Sequence, residues 1–290
     1  MLVLDTTSPH FHGQLEAFCA GARPDAALIK NVAAVLEAVR RHGDAAVRKY
    51  TRKFDGVDVP STRLRVPAKE LAAAAKNCPS EQKAAFAEAV RCVRAFHQKT
   101  QPKSWRGRNP HGAEVGENFY PLRRVGINIP GGQVPLVSTV IMTTVLAQMA
   151  GVPEIAVCTP PDKSGGTHPG LLAALALCGV TEVYRMGGIQ AMGALAYGTR
   201  TVKAVDKLCG PGNAYTIEAK RQLFGTVGVD LLPGPSEVMA LCDGTANARW
   251  VALDLLAQAE HGTGKEHIYL VCTSRVRLAE ILVEVKCHAA

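Results

Sequence analysis

The sequence predicts an α/β protein built on parallel sheet and preceded by a helical segment. Three observations carry this. After residue 118, short apolar runs alternate with segments of helix length, the grammar of βαβ units. Before about residue 100, apolar residues recur at three- and four-residue spacing, as on one face of a helix. The chain has 290 residues, 47% hydrophobic and 20% charged, which is ordinary for a globular protein able to bury a core without staples. That length suggests about two domains.

Asp25 to Tyr50 carries Ile29, Val32, Val35, Leu36, Val39 and Val47 on one helical face, with Asp25 after Pro24 as N-cap or first-turn acid. Leu71 to Gln98 reads as a second helix with Phe86, Val90, Val93 and Phe96 on one side. FDGVDVPSTRLRVP between them reads as a turn and a short strand. Residues 101–118 read as a polar linker rich in Gly and Pro. Strands are then expected at VGINIP, IAVCTP, EVYRM, DKLC, VGVDLL, VMALC and HIYLVC. The intervening helices are STVIMTTVLAQMAG, LLAALALCG, AMGALAYG, AYTIEAKRQLFG, ARWVALDLLAQAEHG and RVRLAEILVEVK. Right-handed crossovers place the carboxyl ends of such strands on one edge.

The net charge is +8, from 33 Lys and Arg against 25 Asp and Glu. This fits a basic surface or recognition of a small anion such as a dinucleotide. The basic residues are scattered and not interleaved with aromatics, which argues against a nucleic-acid partner. Their densest cluster, Lys103, Arg106 and Arg108, lies in the polar linker. The nine cysteines are odd in number and form no CxxC pair; several, such as Cys158 and Cys272, sit in apolar runs. They read as small hydrophobes in a reducing compartment. No signal peptide or membrane span is evident, so the expected location is the cytoplasm, with no membrane partner.

Ligands of open α/β sheets bind at the carboxyl ends of the strands. Four Gly/Pro turns fall there: Pro130-Gly131-Gly132, Gly187-Gly188, Gly210-Pro211-Gly212 and Gly234-Pro235. Such turns allow close backbone approach and open helix N-termini to anions. No GxGxxG with a following acid is present, since MGGIQAMGAL places its glycines at 187, 188 and 193. In AQAEHG, Gln258 and His261 share a helix face. Both side chains can ligate zinc; alternatively, His261 interacts with the helix dipole before Gly262 ends the helix.

Taken together, RVGINIPGGQVPLVSTVIMTTVLAQMAG, IAVCTPP, GGIQAMGALAYGT, VDKLCGPGNAY, DLLPGPSEV and DLLAQAEHG resemble the histidinol dehydrogenase family, in the same order and at similar spacing. HGDAAVRKYTRKFDGV is similar to that family's start. The resemblance spans about residues 25 to 275. It implies two incomplete Rossmann-like domains in an intertwined homodimer, here 127–236 and a discontinuous 25–126 plus 237–290 after an N-terminal arm, 1–24. It implies a zinc-dependent, NAD-linked oxidation of L-histidinol to L-histidine through L-histidinal, the last step of histidine biosynthesis. Gln190 and Asn213 match cofactor contacts, and Asn128 stands where the family has a tyrosine that contacts the dinucleotide. Ser236 matches a substrate-binding position. Gln258 and His261 match two of four zinc ligands and also line the substrate site.

The resemblance also implies that the family's Glu-His pair, which activates water and serves as general base, lies beyond residue 290, as do the Asp and final His of the zinc shell. No catalytic residue is therefore assigned within this chain, and its C-terminal part is expected to be missing. The alternatives are a related dehydrogenase of another small polar alcohol, such as a sulfonated diol, and a non-catalytic NAD-binding fragment.

Overall fold

The structure is a computed structural model that describes residues 3–19, 26–131, 136–233, 237–259 and 267–289. The chain divides into two compact units, Ala26–Leu232 and a smaller one joining Met1–Asp25 to Pro233–Ala290.

The first described helix, α1 (Phe11–Cys19), belongs to the smaller unit. The larger unit opens with α2 (Ala26–His42) and α3 (Asp44–Asp55). The single helix expected from Asp25 to Tyr50 is broken at Gly43, whose φ of 50° leaves the right-handed helical region. After the one-turn α4 (Ser61–Leu64), Arg65 bridges to Tyr184 and the Val66 amide donates to the Val183 carbonyl, 2.8 Å. The expected short strand is thus a single bridge. The next expected helix is two, α5 (Ala68–Asn77) and α6 (Ser80–His97), divided at Pro79, which bars Cys78 from continuing the helix. The expected linker 101–118 contains an antiparallel hairpin, β1 (Trp105–Arg108) with β2 (Glu114–Glu117), where Arg106 pairs with Glu114 at 3.2 Å.

The βα alternation then follows as the sequence predicts. It runs β3 (Arg124–Asn128), α7 (Val137–Met149), β4 (Glu154–Thr159), α8 (Pro169–Leu177), β5 (Glu182–Arg185), α9 (Gly188–Tyr197), β6 (Lys207–Cys209), α10 (Ala214–Leu223) and β7 (Gly228–Val229). The five strands form one parallel sheet in the order β5-β4-β3-β6-β7. The chain reverses its winding direction at the β3/β6 boundary, where the sheet is doubly wound.

Every residue of β3 is buried, as a central parallel strand covered on both faces requires. Helices α2, α3, α9 and α10 cover one face, with Val32, Val35, Leu36 and Val39 packed with Met192 and Leu195. Helices α5, α6, α7 and α8 cover the other, over Val125, Ile127, Val157 and Val183. The apolar stripe of α2 packs against α9 and α10, and that of α6 against α7 and α8, within the Ala26–Leu232 unit.

The smaller unit holds β8 (Glu237–Cys242), α11 (Ala248–Ala259), β9 (His267–Cys272) and α12 (Arg275–His288). β8 and β9 pair in parallel from Glu237↔His267 to Cys242↔Cys272. Ala252, Leu255 and Ile281 form its small core. Phe18 of α1 lies 5.0 Å, ring to ring, from His267, and Arg275 pairs with Asp5 at 3.0 Å.

Candidate functional site

The carboxyl edge of the five-stranded sheet gathers the turns singled out in the sequence. β3 leads into Pro130-Gly131, β4 into Pro160, β5 into Gly187-Gly188, and β6 into Gly210-Pro211-Gly212. Pro160 packs so closely on Gly187 that a Cβ there would overlap its ring, and it also meets Gly131. The loop ends of three neighbouring strands therefore converge. The fourth predicted turn, Gly234-Pro235, lies outside the described residues, as do Ser236 and His261.

At the winding reversal, the turn after β6 is held from three sides. Gly210 has φ 104°, and a Cβ there would collide with the Asn128 carbonyl. The Asp230 carboxylate accepts from the Gly210 amide at 2.8 Å. Lys220, 3% exposed, donates to the Gly210 carbonyl at 2.5 Å and pairs with Asp230 at 2.6 Å. Asn128 donates from Nδ2 to the Pro211 carbonyl at 3.0 Å, and its Oδ1 faces the Cys158 thiol at 3.6 Å. Asn128 is itself 1% exposed. This residue stands at an expected cofactor position, yet its amide clips two βα turns together inside the fold. Complete burial pushes the Cys158 thiol beside it up to about 12.

Asn213 caps α10, its Oδ1 accepting from the Tyr215 and Thr216 amides at 3.1 and 3.2 Å. α9 differs: its N-cap is Gly187, and no side chain caps its first amides. Gln190 sits in that first turn, 1% exposed. Its Nε2 donates to Asp55 Oδ2 at 3.4 Å, and its Oε1 has no hydrogen-bond partner. Asp55, at the end of α3, has its carboxyl raised to about 6 by burial. Sequence reasoning did not find Asp55. The only signal was its position just after the apolar face of α3, in the FDG turn.

On the smaller unit, Gln258 lies in the last turn of α11, and its Nε2 is buried without a partner. Among the described residues, no group of three or more His, Cys, Asp and Glu is placed to hold a metal ion. His168 is exposed and caps α8, its Nδ1 accepting from the Gly170 amide at 3.1 Å.

The converging loop ends and the orphaned glutamine lie together at the carboxyl edge of the parallel sheet, and comparison with known proteins gives the fold a lineage. The histidinol dehydrogenase family profile matches residues 21–290. The chain belongs to the histidinol dehydrogenase family. It is 48% identical over 243 residues to the histidinol dehydrogenase of Symbiobacterium thermophilum, covering 84% of this chain and 55% of that protein. It is 43% identical over 281 residues to the Bordetella parapertussis enzyme, covering 96% and 63%. The crystal structure of histidinol dehydrogenase from Elizabethkingia anophelis superposes with a TM-score of 0.83 at 36% identity, covering 94% of this chain and 64% of that one. The chain thus spans between about half and two thirds of the length of these family members. No helix among its described residues is long and apolar enough to cross a membrane.

Proposed function

We propose that this chain is the cofactor-binding part of a histidinol dehydrogenase, which oxidises L-histidinol to L-histidine in two NAD-linked steps through L-histidinal. The observation that carries the proposal is Gln190: a buried amide oxygen without a partner, in the first turn of an uncapped helix, at the carboxyl edge of a doubly wound sheet. A buried acceptor left unpaired is costly unless a ligand completes it, and free first-turn amides favour the phosphates of a dinucleotide.

In this reading, Gln190 accepts from the dinucleotide. Asn213 holds the start of α10 beside it, and Asn128 keeps the two flanking turns in register rather than touching the ligand. When bound, NAD accepts the hydride that leaves the alcohol or hydrated aldehyde carbon.

Gln258 would ligate zinc through its Oε1, as the family resemblance implies; the buried group without a partner there is its Nε2 donor, which a polar group of the bound substrate would complete. The preceding turns of α11 set its direction, and His261 would share its face. A bound zinc would orient the alcohol and polarise its oxygen. Two ligands fall short of the four that zinc ordinarily takes. On the family reading, the others come from the portion of the relatives that this chain does not span, as does the base. Ser236 would contact the substrate. Assembly is proposed to be homodimeric, and the location cytoplasmic.

Titration calorimetry of the purified chain with NAD⁺ tests the cofactor reading. Saturable 1:1 binding, abolished by Gln190→Leu in a chain with unchanged circular dichroism, is the expected result. A folded chain with no heat of NAD⁺ binding contradicts it.

A further inference from the structure

Dinucleotide folds of the standard kind read the adenosine ribose with an acid that follows the glycine turn. The corresponding strand here, β4, offers none at its carboxyl end, where it closes with Thr159 and Pro160. Its one acid, Glu154, sits at the opposite end and is taken by Arg124 at 2.8 Å and Lys203 at 3.0 Å. Asp162, just past the strand, uses Oδ1 on the Ser164 and Gly166 amides of its own loop.

An acid reaches this edge from another element. Asp55 ends α3, and Val57, two residues on, packs against Gly165 of the loop that follows β4. Asp55 is therefore held near the loop that follows β4, and its contact with Gln190 places it beside the first turn of α9. Burial raises its carboxyl, and among the described residues it forms no ion pair. Oxygen acceptors of Asp55 and Gln190 then lie together, and Gln190 Oε1 lacks a donor.

Gln190 Oε1, which lacks a donor, and Asp55 Oδ1, the carboxylate oxygen that does not accept from Gln190 Nε2, suit one chemical group: a vicinal diol, which brings two O–H donors. They oppose a phosphate monoester, which brings negative charge to a carboxylate in a partly dry site. We infer that Asp55, acting with Gln190 Oε1, binds the ribose diol of the cofactor and is the residue that selects NAD over its 2′-phosphorylated form. This rests on the cofactor reading above. It assigns to the N-terminal helical segment the task that a strand end performs in the standard fold.

The test is calorimetric titration of the full chain and of Asp55→Asn with NAD⁺ and with NADP⁺. The wild-type chain is expected to bind NAD⁺ at least about tenfold more tightly than NADP⁺. Asp55→Asn, isosteric and uncharged, is expected to lose most of that ratio, leaving the two affinities within about threefold. If the variant does not fold, Asp55→Ser reads the same ratio. A ratio unchanged by either substitution, in a chain that binds NAD⁺, overturns the role of Asp55 and leaves the cofactor reading standing. A wild-type chain that binds neither dinucleotide overturns both. A purely structural role for Asp55 would weaken both ligands in proportion and leave the ratio unmoved, which also counts against the inference.

Discussion

Lys220 illustrates how much of this site depends on single buried groups. Its ammonium is 3% exposed and has two partners, the Gly210 carbonyl and the Asp230 carboxylate. Replacing one member of a buried ion pair leaves the other uncompensated. Lys220→Met is therefore expected to destabilise the larger unit by about 2–4 kcal/mol, read from the urea midpoint. It should also raise amide exchange at Gly210 and Ile217, which an unchanged turn would not show. Asp55 acts in the opposite sense. Its carboxyl rises from 3.8 to about 6 through burial, so the folded state binds its proton more tightly than the unfolded state does. Its contribution to stability is then fully present below about pH 4 and is lost as pH rises through 6. Asp55→Asn should be more stable than wild type at pH 7 and should remove that part of the slope between pH 4 and 6, measured as the denaturation midpoint against pH. A stability gain coupled to lost ligand selectivity is the signature of a strained functional group. The site was partly legible at this scale. GPGN and GGIQ pointed to Gly210, Asn213 and Gln190. Asn128 was placed correctly on the strand end, but its role depends on a hydrogen bond to Pro211, 83 positions away, which no local pattern reports. Asp55 was not legible for the same reason.

At the scale of elements, register is set by charge as well as by apolar alternation. Arg124, 4% exposed at the start of β3, donates to Glu154 of β4 at 2.8 Å and to Glu182 of β5, which also accepts from Tyr184 at 2.6 Å. The guanidinium holds Glu182 below the usual carboxylate range against the burial that opposes it, while burial and Glu182 push the Tyr184 phenol up. One side chain thus ties three consecutive strands at their amino ends. Arg124→Met should cost about 3 kcal/mol in urea unfolding, and the double variant with Glu182→Gln should recover part of it, because the orphaned carboxylate is then gone. Full additivity of the two changes would argue against a coupled pair. The βα alternation was readable because each apolar run is bounded by Gly or Pro. The breaks within the helical segment were harder to place. Gly43 and Pro79 were visible as residues, but periodicity continues across both. The hairpin at 105–117 has no apolar alternation, all its strand residues but Gly107 being exposed, so it read as linker.

For the whole molecule, the fold class was legible in the alternation of apolar runs with segments of helix length. The apolar stripes of α2 and α6 bury against helices of the larger sheet unit. Amphipathicity shows that a face must be buried but not which partner buries it. The histidinol dehydrogenase relatives are longer than this chain, which covers 55% of one and 63% of another. We propose that its two units are the corresponding parts of such an enzyme. The most direct measurement is NADH formation from L-histidinol, with zinc, by a fusion of this chain to the remaining C-terminal portion of the Bordetella parapertussis relative. The account predicts zinc-dependent turnover that Gln190→Leu and Gln258→Leu each reduce at least about a hundredfold. A folded fusion that binds zinc and NAD⁺ yet forms no NADH from L-histidinol would contradict it.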